Sequence, residues 1–171
     1  MPSWQRYRTQ SRDLVARYLE QPLARLLHRV GLSPNRVTVL GLLLSGASAY
    51  LLSTGHFLGG GVMLLLASAL DMMDGALARL TGKATPFGAL LDSSADRVGE
   101  AVIFLGLLVF YLDPLSTPEV LLINVALIGS FMVSYLRARG EGLGVDCRVG
   151  IMTRPERVLT MTVGLLVGQV F

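Results

Sequence analysis

Four aspartates dominate the chemistry available to this chain. They occur as Asp71-Met-Met-Asp74-Gly75-Ala-Leu-Ala78-Arg79 and, a few residues on, as Gly88-Ala-Leu-Leu-Asp92-Ser-Ser-Ala-Asp96. Asp71 and Asp74 are three residues apart and Asp92 and Asp96 four apart, so on helices each pair projects from one face. An acid in the middle of a membrane helix costs roughly 2.5–3.5 kcal/mol on the insertion scale, so four without compensation would cost roughly 10 kcal/mol or more. Arg79 and Arg97 can offset two of the charges. Carboxylate clusters of this kind suit hard divalent cations, which prefer oxygen ligands, with Mg2+ or Mn2+ as the expected metal. Two ions held this way can clamp a diphosphate and stabilise both the attacking and the leaving oxygens. Gly75 and Ala78 remove side-chain bulk where a ligand must approach the backbone, although small residues also serve ordinary helix packing in membranes.

The elements that must position these acids are membrane helices. Of 171 residues 52% are hydrophobic and 16% charged, and the mean hydropathy is +0.57, which excludes a disordered tail, a collagen-like chain and a disulfide scaffold. Val37 to Leu70 contains no Asp, Glu, Lys or Arg, yet Ser53-Thr54-Gly55-His56 and Gly59-Gly60-Gly61 interrupt it, so it reads as a hairpin of two spans. Further apolar stretches place five helices near residues 34–53, 57–80, 86–112, 118–138 and 155–171. The expected fold is an all-α integral membrane protein, a polytopic bundle of transmembrane helices over 33–171. Residues 1–32 precede it, and there Leu14, Val15, Tyr18, Leu19, Leu23, Leu26, Leu27 and Val30 recur at helical spacing among arginines. That pattern predicts an amphipathic interfacial helix, kinked or divided at Pro22, with a partner-binding helix as the alternative.

Basic residues orient the bundle. Seven arginines lie at or before Arg36, Arg79 and Lys83 follow the second span, and five more arginines fall within 137–157. The loops around Gly55-His56 and Asp113-Pro114 have none, so the N-terminus, the 79–86 loop and the 137–157 loop are expected on the cytoplasmic side of the cell membrane. Because the basic residues flank spans, they argue for lipid and anionic ligands and against nucleic acid. No cleavable signal peptide is expected. The single cysteine, Cys147, reads as inert packing, and His28 and His56 are given no role.

The run Asp74-Gly75, two residues, Ala78-Arg79, eight residues, Gly88, three, Asp92, three, Asp96 resembles the full motif of the CDP-alcohol phosphatidyltransferases, and Asp71 fits the aspartate that precedes it. Ser33-Pro34-Asn35-Arg36-Val37-Thr38 is similar to the segment that enters the family's first span. The resemblance implies six spans, of which five are legible here, and an enzyme that moves a phosphatidyl group from CDP-diacylglycerol to an alcohol with release of CMP. It implies Asp71, Asp74, Asp92 and Asp96 as metal ligands and Asp96 also as general base. Pro34, Asn35, Arg36, Val37, Gly75, Arg79 and Thr85 match positions that bind the CDP-lipid. Membrane lipids are implied partners, and a homodimer is compatible with the resemblance.

For the acceptor, Ser134-Tyr135-Leu-Arg137-Ala-Arg139-Gly-Glu141 and Arg154-Pro155-Glu156-Arg157 are similar to the members that use inositol phosphate. Arg137, Arg154 and Arg157 are then expected to grip the phosphate of that or another phosphorylated polyol, since guanidinium forks match phosphate oxygens. Arg139 and Arg148 read as topology and headgroup contact. Glycerol-3-phosphate is the rival acceptor, followed by free inositol or an ether-lipid donor. Outside the class, a divalent-cation transporter or a membrane prenyltransferase could also place acids in membrane helices, but neither calls for Gly75, Ala78 and Arg79 in this arrangement.

Overall fold

The computed structural model describes residues 20–113, 116–145 and 154–167. Six helices account for most of them: α1 (Gln21–Arg29), α2 (Pro34–Ser53), α3 (Phe57–Thr81), α4 (Pro86–Tyr111), α5 (Thr117–Gly142) and α6 (Arg154–Val167), with no strand among the described residues.

Local sequence sets the boundaries. Ser33 is extended at φ −89°, ψ 153°, and Pro34 then supplies the fixed φ of a first helical turn. Thr85 caps α4, its Oγ1 accepting from the Gly88 N–H at 3.0 Å, with Pro86 next in line. Gly82 ends α3 in the left-handed region at φ 63°, which lets the Lys83 N–H reach back to the Ala78 carbonyl at 3.0 Å. That tight stop leaves only Gly82–Thr85 between α3 and α4, so the two aspartate-bearing helices form one hairpin.

Helix α2 packs most extensively against α3 and α4, while α1 and α6 lean on α3 and α5 touches α4 more lightly. Around the end where α2 and α4 begin, Ala24 of α1, Val37 of α2 and Ala76 and Leu77 of α3 form a buried cluster. Leu52, Leu64 and Ile103, backed by Val158, Met161 and Leu165 of α6, fill the other half. Between α2 and α4 there is almost no side-chain layer. A Cβ at Gly106 would collide with the Ala49 backbone, and one at Gly99 would stand 3.1 Å from Ser45 Oγ. Such close approach is how helices associate where lipid offers no hydrophobic drive between them.

Many large apolar side chains face outward. Leu43, Leu122 and Ile128 are each more than 60% exposed, an arrangement that water would penalise and hydrocarbon would not. Among the described residues three helices are long and apolar enough to cross a membrane: Pro34–Ser53, Phe57–Thr81 and Thr117–Gly142. Helix α4, also read as a span, has the length, but Asp92, Asp96, Arg97 and Glu100 interrupt it between residues 92 and 100. Helix α6 is described over 14 residues, and the rest of the expected 155–171 span lies outside the described residues. So does most of the amphipathic segment before Glu20. Pro22 falls in the first turn of α1.

Candidate active site

Helices α3 and α4 bring Asp71, Asp74 and Asp92 together: each offers a carboxylate oxygen, and these oxygens lie within 4.8 Å of one another. Asp74 is buried and the other two half-buried. All-oxygen donors at this spacing fit a hard divalent cation. Thr38 of α2 donates its hydroxyl to Asp74 Oδ2 at 2.6 Å. Thr38 falls within the motif segment of α2, but no functional role is legible in the sequence for it. Its signal is a polar residue one helical turn after Pro34, on the face that Pro34 shares.

Asp96 lies one turn beyond Asp92 and outside that close triad. Its Oδ2 pairs with Arg97 at 3.2 Å, and it lines two cavities. One runs inward between α2, α3, α4 and α6, past Asp71, Ser45, Ser68 and Glu100. The other is bounded by Asp96, Arg97, Glu100, Ser134, Arg137 and Arg157. Two of the three expected acceptor arginines therefore meet Asp96 in one cleft. Arg157 makes two hydrogen bonds to Glu100, Nε to Oε1 at 3.2 Å and Nη2 to Oε2 at 3.3 Å. Arg137 is half-buried, and its Nε is buried with no hydrogen-bond partner among the described residues. The side chain of Arg154 lies outside the described residues.

The positions matched to the CDP-lipid cluster at the same end of the bundle. A Cβ at Gly88 would stand 3.4 Å from Asn35 Oδ1 and 3.2 Å from Thr85 Oγ1, so the start of α2 and the cap of α4 adjoin. Asn35, Arg36, Arg79 and Thr85 are exposed, whereas Pro34 is half-buried and the Val37 side chain is wholly taken up by the core. At Gly75 an added Cβ would meet only Arg79 Nη1, at 3.4 Å, so this glycine is not required by packing. Arg79 reaches Glu20, at the head of α1, at 3.4 Å. Both it and the Glu100 pair join residues too far apart in the chain for spacing to reveal them.

A bundle of apolar helices with three converging aspartates, a motif arginine and an adjoining arginine-lined cleft suits a membrane enzyme that acts on phosphate groups. The family model for CDP-alcohol phosphatidyltransferase matches residues 31–168, and the chain belongs to that family. The phosphatidylinositol phosphate synthase of Mycobacteroides abscessus is 37% identical over 158 residues, covering 91% of this chain and 71% of the relative. The crystal structure of the Mycobacterium tuberculosis phosphatidylinositol phosphate synthase with CDP-DAG bound is similar at TM-score 0.79 and 36% identity, over 88% of this chain and 77% of that one. The structure of the same synthase in complex with manganese and citrate matches at TM-score 0.74 and 33% identity, over 89% and 82%.

Proposed function

We propose that the chain transfers the phosphatidyl group of CDP-diacylglycerol to a hydroxyl of inositol phosphate, giving phosphatidylinositol phosphate and CMP, at the cytoplasmic face of the cell membrane. The observation that carries this reading is the convergence of Asp71, Asp74 and Asp92 beside a cleft shared by Asp96, Arg137 and Arg157. The relatives' names and the bound CDP-DAG of the similar structure support the choice of donor and acceptor.

In this reading Asp71, Asp74, Asp92 and Asp96 hold magnesium or manganese, two ions in all. When bound, such ions neutralise the diphosphate and stabilise the departing CMP. Pro34, Asn35, Arg36, Val37, Gly75, Arg79 and Thr85 seat the donor headgroup, with Val37 contributing through its backbone. Arg137, Arg154 and Arg157 hold the acceptor phosphate. Asp96 accepts the proton as the acceptor oxygen bonds to the lipid-side phosphorus and the bond from that phosphorus to the CMP oxygen breaks.

The deciding experiment offers CDP-diacylglycerol with inositol phosphate, glycerol-3-phosphate or free inositol to the purified protein in nanodiscs, with an ether-lipid donor in parallel. Phosphatidylinositol phosphate together with CMP is the expected outcome. Product from glycerol-3-phosphate alone would give the chain the rival acceptor, and cation flux without CMP release would make it a transporter. A homodimer is the assembly to test, by the mass of the detergent-solubilised protein. Labelling of Lys83 in inside-out vesicles tests the cytoplasmic placement.

A further inference from the structure

The pair between Glu100 and Arg157 joins α4 to α6 in an unusual place. Arg157 lies in the first turn of α6, where the helix dipole disfavours a cation, and its side chain is 16% exposed against 10% for Glu100. Neither helix stability nor solvent accounts for an arginine there. Burying two charges is costly even when they are paired, so the pair is weak evidence of a purely stabilising role.

Glu100 is four residues beyond Asp96, as Asp96 is beyond Asp92, which places the three acids on one face of α4. It lines both the cavity that runs inward and the cleft that holds the arginines. Its two bonds take the Nε and one Nη2 hydrogen of Arg157, leaving three of a guanidinium's five donors uncommitted to it. Among the described residues lining the cleft, Asp96 pairs with Arg97 and Glu100 with Arg157, so the charge in excess is that of Arg137.

We infer that Glu100 is a positioning residue for the acceptor: it holds the Arg157 guanidinium by one edge so that its other donors, together with Arg137, engage a phosphomonoester in the cleft. The inference rests on the proposed placement of Arg157 at the acceptor phosphate. A simple electrostatic view predicts the opposite sign, because deleting a carboxylate beside an anion site strengthens anion binding. Fixed orientation decides for the loss, since a freed guanidinium forfeits the preorganisation that a bidentate clamp supplies.

The test uses the full chain in nanodiscs with Glu100→Gln, Arg157→Gln and the double variant. Melting temperature, KM for inositol phosphate, KM for CDP-diacylglycerol and manganese affinity are measured for each. Glu100→Gln is expected to raise the inositol phosphate KM about tenfold while leaving the donor KM and manganese affinity in place. The double variant, whose buried charges stay balanced if Glu100→Gln alone fails to fold, should match Arg157→Gln in acceptor KM. A lower or unchanged acceptor KM in Glu100→Gln overturns the inference, as does a double variant markedly worse than Arg157→Gln. If Arg157→Gln itself leaves the acceptor KM untouched, the proposed acceptor site is what fails, and the inference falls with it.

Discussion

The Thr38 hydroxyl and the Asp74 carboxylate meet at 2.6 Å, a side-chain bond spanning 36 residues of sequence and sealed between α2 and α3. A hydroxyl has one hydrogen to give, and the Pro34 carbonyl stands by as a second acceptor at 3.2 Å. The shorter bond to a carboxylate is the stronger of the two. Thr38 therefore sets the direction in which Asp74 turns, independently of any ligand.

Replacing Thr38 by Val removes the donor and keeps the shape. Manganese affinity, read from the electron paramagnetic resonance of free Mn2+, should fall by about tenfold or more, the usual cost of losing a support behind a metal ligand. Thr38→Ser should retain it, and equal losses in both variants would reduce the contact to packing.

Asp92→Asn and Asp96→Asn should each nearly abolish transfer in a protein that still inserts and extracts normally. Their manganese affinities should differ, because Asp92 belongs to the close carboxylate triad and Asp96 stands a turn away. Chelator should mimic the Asp92 variant, with activity returning on addition of magnesium or manganese. Turnover that survives chelation would end the metal-assisted mechanism.

Two glycines make opposing predictions for one kind of substitution. Gly106→Leu forces a side chain into the Ala49 backbone, whose Cα lies 2.8 Å from the added Cβ, and should prevent the bundle from assembling. Gly75→Leu meets only the flexible end of Arg79. It should leave the melting temperature near the parent value while CDP-diacylglycerol binding, measured by titration, is lost. A Gly75→Leu protein that fails to fold would return this glycine to packing.

Arg137→Gln should raise the inositol phosphate KM about tenfold, by loss of a hydrogen bond to a charged group, and spare the donor KM. Arg139, two residues on and so on the far side of α5 from Arg137, is exposed, so Arg139→Gln should change neither. Equal small effects in both would leave these arginines a topological role alone.

Helix boundaries were legible wherever the chain states them in local chemistry. Ser33-Pro34 opens α2, Thr54-Gly55 closes it, and Thr85-Pro86 opens α4, each within a residue of expectation. Helix α5 outruns its expected end at 138 and continues to Gly142, since Arg137, Arg139 and Glu141 are good helix formers whose charges mark the membrane surface rather than a helix stop. The acid triad was legible because three- and four-residue spacing is itself a statement about a helix face. The partners of those acids and arginines were not. Thr38 with Asp74, Glu100 with Arg157 and Glu20 with Arg79 are 36, 57 and 59 residues apart, and only the packing of whole helices decides which of them meet.

Helix α2 supplies no carboxylate, yet both aspartate-bearing helices lie on it, and at Gly106 the contact with α4 is main chain against main chain. A spacing fixed by backbone cannot be widened by turning a rotamer, so this crossing of α2 and α4 has no side-chain slack. The lengthwise register of α4, and with it the level at which Asp92 stands opposite Asp71 and Asp74, is thus keyed by an interface that contains none of the acids.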